Sequence, residues 1–287
     1  MQEKRLLLSI LFAVVTLWCG FVDNVYASQA SSKRIVSLAP SLTEGLYLLG
    51  AEDGLVGDTT YCVTPDAAKY KEKIGTITNI DLERIVTLKP DIVLATSLTN
   101  TKAVQKLKDL GIEVKIFPAP KDFISLCDQF IELGKAVEKV TKAEEIVAVA
   151  REKVAGIQAR TAGLFKPKVF IQIGSKPLFT ANKSYVVSDF VELAGGINIA
   201  KDAKVGTYSR EDVVRKNADV IIIVTMGVAA EKEKESWQRL RALNAVRDNK
   251  IYILDSRKVC GPTPVTFVET LDKVASLLHP ELLEDRK

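Results

Sequence analysis

Histidine is nearly missing from this chain. A single one, His279, stands among 287 residues, followed by Pro280 beyond the last helical pattern, where it reads as a solvated terminal residue. Capture of zinc or manganese needs several His and carboxylate ligands converging on one point, and a Ser-His-Asp triad needs an imidazole beside its nucleophile, so both chemistries are excluded. No Gly-x-x-x-x-Gly-Lys-Ser/Thr run is present to cradle phosphates, Gly195-Gly196 reads as a helix stop, and no Gly-x-Ser-x-Gly elbow occurs. Charge of one sign is scarce too: 40 basic against 36 acidic residues leave +4, interspersed as on an ordinary solvated surface, and nucleic acid is not indicated. Only four cysteines occur. The three beyond residue 27, Cys62, Cys127 and Cys260, are an odd number, so at most one bridge forms within the chain. Cys127 sits in the apolar pattern Phe123, Ile124, Cys127, Phe130, Ile131 and reads as core. Cys62 and Cys260 fall in loops, where three readings stand: buried thiols, a bridge across facing loops, or soft ligands to a bound metal.

What is present begins at the N-terminus. Lys4 and Arg5 precede an apolar stretch from Leu6 to Leu17, and Val25-Tyr26-Ala27 precedes Ser28. This is the pattern of a cleavable signal peptide over residues 1–27, and it predicts an exported, periplasmic protein. The apolar run is shorter than the roughly 20 residues a bilayer core needs, and Trp18 occupies the position where lipidation at Cys19 requires a small residue.

Two distant stretches share one plan. Glu83-Arg-Ile-Val-Thr-Leu-Lys-Pro-Asp91-Ile-Val-Leu and Glu211-Asp-Val-Val-Arg-Lys-Asn-Ala-Asp219-Val-Ile-Ile each open with a Glu on a short helix and run into an unbroken aliphatic segment, which reads as a buried strand. Around them strand and helix patterns alternate. Strands are expected near Ile35–Leu38, Leu55–Gly57, Asp91–Ala95, Val114–Phe117, Val169–Ile173, Val220–Val224 and Ile251–Leu254. Helices are expected at Ser41–Leu49, Leu82–Leu88, Thr101–Leu110, Ser188–Leu193, Trp237–Leu243 and Pro264–Leu278. Such alternation predicts parallel sheets with crossovers packed on their faces. Between the halves, Ala143, Ile146, Val147, Ala150, Val154 and Ile157 recur at helical spacing over Thr141–Thr161, with Thr141 and Glu144 placed as a cap. The fold expected is α/β: two Rossmann-like lobes with mainly parallel sheets, over residues 28–140 and 164–287, joined by one long interlobe helix within 141–163. Two like lobes leave a cleft between them.

At this point the chain resembles the helical-backbone class of periplasmic solute-binding proteins, especially the cobalamin binders that serve importers of the ATP-binding cassette type. The resemblance lies in Arg34-Ile-Val-Ser-Leu-Ala-Pro-Ser-Leu-Thr-Glu44, Leu82 to Asp91, Val169-Phe-Ile-Gln-Ile-Gly174 with Pro177-Leu-Phe-Thr180, Ala194-Gly-Gly-Ile-Asn-Ile199 and Ser209-Arg-Glu-Asp-Val213. It implies a monomer that holds its ligand between the lobes, against loops at the carboxyl ends of the strands, where open α/β sheets bind. The residues so implied are Ser41, Leu42, Tyr61, Ile77, Ser97, Phe179, Tyr208, Met226, Arg257 and Val259. Tyr61 matches a ring-stacking tyrosine of the family, whereas Phe179 is open to a core reading as well. Where the cobalamin binders place tryptophans this chain has Ile77 and the residues around Ser97, so a truncated corrinoid, a haem or a ferric siderophore chelate stands beside cobalamin and cobinamide. The resemblance further implies that Glu83 and Glu211 pair with arginines on the permease subunits. A glycosidase-like use of the two glutamates would need them roughly 5–9.5 Å apart, which opposite lobes do not offer. A module that signals its ligand to a receptor shares every one of these features.

Overall fold

The computed structural model describes residues 33–224 and 228–282. The expected signal peptide and Met226 lie outside these. The first sheet is built from β1 (Ile35–Ser37), β2 (Leu55–Asp58), β3 (Ile92–Thr96) and β4 (Glu113–Phe117), in the order β2-β1-β3-β4 with every pair parallel. In the second sheet β5 (Lys168–Ser175) is central, with β8 (Val220–Ile223) and β9 (Ile251–Ile253) parallel on one side. The other edge of β5 is shared. Short β7 (Ile197–Asn198) runs parallel to its first residues, while β6 (Leu178–Thr180) folds back antiparallel on its last ones. The chain is thus the expected pair of α/β lobes with mainly parallel sheets.

Strands buried on both faces need no polar alternation, which is why these segments read as continuous aliphatic runs. The two-residue period still decides which core each side chain enters. In β1 and β3, Ile35, Ile92 and Leu94 face a core common to both lobes, while Val36, Val93 and Ala95 face an outer core of the N-terminal lobe. In β5 and β8, Val169, Ile171, Val220 and Ile222 enter the same common core, and Phe170, Ile221 and Ile223 enter the outer core of the C-terminal lobe. The joining helix runs Val140–Thr161 and buries Ala143, Val147, Ala150, Val154 and Ile157 in the common core. Its cap is not Thr141. The helix begins one residue earlier, so Thr141 is already helical, and Lys139 occupies the cap without a side-chain bond. Helices Phe123–Ala136 and Pro264–Leu278 pack on it from either side, and Phe267 is stacked between Phe123 (centroids 4.8 Å apart) and Phe190 (4.4 Å).

Two expectations about local structure are corrected. The helix after β8 covers Val228–Gln238 rather than Trp237–Leu243, because buried Ala230 and Trp237 lie seven residues apart on one face and the intervening Glu and Lys residues favour a helix. His279 is buried, not solvated. Its Nε2 lies 2.9 Å from the Ala194 carbonyl oxygen, in a slot that exists because Gly195 has no Cβ: one there would meet the imidazole at 3.0 Å, and its φ of +80° also suits glycine.

The repeated corners are alike in backbone detail. Asp81 and Ser209 are the N-caps of helices Leu82–Thr87 and Arg210–Lys216, accepting from the amides of Arg84 and Asp212. Each helix ends at a left-handed residue, Lys89 (φ 46°) or Asn217 (φ 50°). Two residues later Asp91 and Asp219 turn back: their carboxylates accept the backbone N–H of Arg34 (2.7 Å) and Lys168 (2.8 Å), and their own amides donate to the carbonyls of the same two residues. That exchange sets the register of β3 on β1 and of β8 on β5.

Candidate functional site

Because β1, β2 and β3 run parallel, their carboxyl ends lie along one edge of the first sheet. The Tyr61 loop leaves β2 there. Its support is a buried polar network in which Thr43 Oγ1 donates to Ser37 Oγ (2.8 Å), and Thr43 and Thr59 hydroxyls lie 3.1 and 3.2 Å from Cys62 Sγ. Lys73 Nζ ties the loop from below through Asp58 Oδ1 (2.6 Å) and the carbonyls of Cys62 (3.0 Å) and Ala68 (2.8 Å). Burial pushes the Asp58 carboxyl up, against the pull of the Lys73 ammonium. With its base fixed, the loop holds Tyr61 outward, 55 % exposed. The Thr60 amide donates to the Gly75 carbonyl, which brings the half-buried Ile77 turn alongside, and Ser97 and Leu98 are exposed at the end of β3.

The loop edge of the second sheet is made differently. At the ends of β5 and β6, Leu178 and Thr180 point inward and the far end of the half-buried Phe179 ring lies against Gly206, where a Cβ would come within 2.2 Å of it. Tyr185 meets that ring edge-on at 6.2 Å between centroids, so the wall carries an aromatic pair of which the sequence reading named one member. After β9, helix Ser256–Cys260 presents exposed Arg257, whose guanidinium is gripped by Asp255 through Nε–Oδ1 (3.1 Å) and Nη2–Oδ2 (2.8 Å). The two edges adjoin: a Cβ on Gly261 would sit 3.9 Å from that of Ser41, and Thr263 Oγ1 donates to Glu44 Oε1 at 3.5 Å. Beneath them the Phe123 amide donates to Asp189 Oδ2 (2.8 Å).

Several expected site residues are placed elsewhere. Leu42 and Val259 are buried in the common core, since each lies on the inward face of its helix; they brace the wall. Tyr208 is half-buried: it packs on Phe170 of the outer core (5.6 Å) and donates its hydroxyl to the Ile199 carbonyl (3.3 Å), and it lines a surface pocket with Val205, Thr207 and Asp212. Cys62 is fully buried with both threonine hydroxyls on its sulfur and Cys260 is exposed, so neither the bridge nor the metal reading has support. Among the described residues no three His, Cys, Asp or Glu side chains gather as a metal site. Glu83 and Glu211 are exposed second residues of their capped helices.

Comparison with known proteins places this architecture. The family model described as periplasmic binding protein matches residues 35–258. An uncharacterized ABC transporter substrate-binding lipoprotein of Bacillus subtilis, YvrC, is 29 % identical over 264 residues, covering 88 % of this chain and 82 % of the relative. The crystal structure of the periplasmic vitamin B12 binding protein BtuF of Vibrio cholerae superposes with a TM-score of 0.74 at 26 % identity, covering 88 % of this chain and 98 % of the other. The apo periplasmic haem-binding protein RhuT of Roseiflexus sp. RS-1 gives 0.76 at 23 % identity, over 87 % and 98 %, a likeness of fold. With its sheets, joining helix and adjoining loop edges assembled as described, and the family model spanning most of its length, the chain belongs to the periplasmic binding protein family.

Proposed function

We propose that this chain is the exported substrate-binding protein of an ABC importer, that it captures a corrinoid between the two loop edges, and that it delivers the corrinoid to the permease. The observation that carries the ligand reading is Tyr61, held outward on a loop of the first sheet by a buried network, with the Phe179–Tyr185 pair at the strand ends of the other lobe, since a planar macrocycle gains much of its binding from aromatic area on its faces. The vitamin B12 binding protein at 26 % identity supports the same choice, and the name of the Bacillus relative supports the importer. Ser41, Ile77 and Ser97 complete the first wall and Arg257 the second, to which Met226 is assigned by its place in the sequence. Glu83 and Glu211, one exposed carboxylate per lobe, are the docking points for permease arginines, where charge-assisted pairs fix orientation and speed encounter. Residues 1–27 act as a leader that is removed on export, and the remaining protein works in the periplasm as a monomer.

Calorimetric titration with cyanocobalamin, cobinamide and haemin tests the ligand. The corrinoids bind more tightly at one site, and Tyr61→Ala weakens that binding by about 0.5–3 kcal/mol. Binding of haemin or a ferric siderophore with neither corrinoid bound overturns the corrinoid assignment. The docking role is tested by the double charge reversal of Glu83 and Glu211 to Arg: uptake is abolished, ligand affinity and thermal stability hardly change, and wild-type uptake by that variant defeats it.

A further inference from the structure

The two glutamate-bearing helices begin alike but are anchored differently. Ahead of Glu83 stands Leu82, an apolar side chain packed on the outer core of its own lobe. Ahead of Glu211 stands Arg210, whose guanidinium enters a closed ring of contacts. It lies over the Trp237 indole, 4.3 Å from the ring centroid, and its Nη2 pairs with Glu233 Oε2. The same Glu233 oxygen accepts from Gln172 Nε2 (2.9 Å), and Gln172 Oε1 accepts from Trp237 Nε1 (2.6 Å). Gln172 and Trp237 are fully buried. A planar guanidinium held at once by a ring face and a carboxylate has little freedom, so displacing any member disturbs the others. Arg210 Nη1 is buried without a partner, a cost that an apolar anchor such as Leu82 avoids.

One other member of the ring lies on the strand that runs to the cleft edge. Gln172 lies on β5 four residues before the Lys176-Pro177 turn into β6, and its carbonyl accepts from the Val224 amide after β8 (2.6 Å). Glu233 and Trp237 lie on helix Val228–Gln238, and the side chain of Gln172 joins them. A ligand that shifts the β5–β6 turn therefore bears through Gln172 on Glu233 and Trp237, the two residues that hold Arg210, immediately before Glu211.

We propose that Arg210 is a positioning residue that ties Glu211 to occupancy of the cleft, so that the C-terminal glutamate, and not Glu83, reports the loaded state to the importer. The inference rests on the docking reading given above. The test is hydrogen–deuterium exchange on the whole chain, with and without saturating cyanocobalamin and, separately, haemin, whose binding is checked by calorimetry. With a bound probe, amides of Arg210–Lys216 exchange several-fold more slowly while those of Leu82–Thr87 keep their rate. In Arg210→Lys, which keeps the charge but loses the fork and the stack, that slowing disappears. Equal protection of both helices, no protection of either, or full protection retained in Arg210→Lys overturns the inference alone. If neither probe binds, the functional reading falls and the inference with it. The wild-type comparison of the two helices decides the matter by itself should the variant fail to fold.

Discussion

The two lobes solve one backbone problem with different side chains. In both, a short capped helix ends in a left-handed residue and an aspartate returns to grip the first strand of its sheet. The N-terminal corner is completed by Arg34, whose Nη2 donates to the Leu88 carbonyl (2.7 Å) and whose Nε reaches the Leu88 and Lys89 carbonyls (3.1 Å each) at the helix end. In the C-terminal corner the aspartate itself takes a further donor, Asn244 Nδ2, at 2.7 Å from Asp219 Oδ1. The lesson is that the corner's geometry is the repeated quantity, while the groups that secure it vary with what each lobe packs beside it. The loop edges differ in the same sense: the first carries an outward tyrosine on a polar-anchored loop, the second an aromatic pair made by Phe179, on a strand that folds back along β5, and Tyr185.

The comparison is broken most severely at the element the lobes share. Phe267→Ala empties a fully buried site between Phe123 and Phe190 and is expected to cost about 3–5 kcal/mol. Because the common core draws on both lobes, urea unfolding followed by tryptophan emission and by circular dichroism should still give one coincident transition. Two separated transitions would show that the lobes hold independently. Next come the corners. Asp219→Ala removes a charged acceptor from two donors and should cost about 2–3 kcal/mol, against about 1 kcal/mol for the more exposed Asp91→Ala, measured by the same unfolding. Equal losses would mean that the Asn244 contact contributes nothing.

The smallest effect concerns Glu44, where the lobes meet. Burial pushes its carboxyl up from 4.5, opposed by the hydroxyl of Thr263 and by Lys258, and reinforced by the like charge of Glu269. The folded state therefore holds the proton more tightly than the unfolded chain. This group's contribution to stability is greatest below about pH 4.5 and declines as pH rises through the raised folded value. Glu44→Gln keeps an acceptor for Thr263 and removes the charge, so it should raise stability at pH 7 by less than about 1 kcal/mol. It should also flatten the slope of stability above pH 4.5. A slope identical to that of the wild type over pH 4.5–7 refutes this account of Glu44.

Much of the architecture was legible in the residue order, for identifiable reasons. Aliphatic runs such as Ile92–Ala95 and Val220–Ile223 are short, bounded by helical patterns and apolar on every residue, which only strands buried on both faces require. The joining helix announced itself through six apolar positions at one spacing. The helix Val228–Gln238 was not legible, since its buried apolar positions among the described side chains are Ala230 and Trp237 and its charged residues gave no stripe. Of the exposed aromatics at the strand ends, Tyr61 could be read as exposed because a polar loop surrounds it. Tyr185 could not, because nothing near it in sequence signals the Phe179 ring that it meets.

The sequence by itself determined the periodicities, and with them the strands, the long helix and the two repeated corners, because these depend on neighbours one to four residues away. Tertiary structure alone decided which loop residues stand out and which are consumed by packing. Leu42, Val259 and Tyr208 are of types suited to a ligand wall, yet the cores beside them take their apolar area; His279 is buried by a glycine 84 residues earlier. A side chain's exposure is set by what the rest of the chain brings against it, and that information is not local.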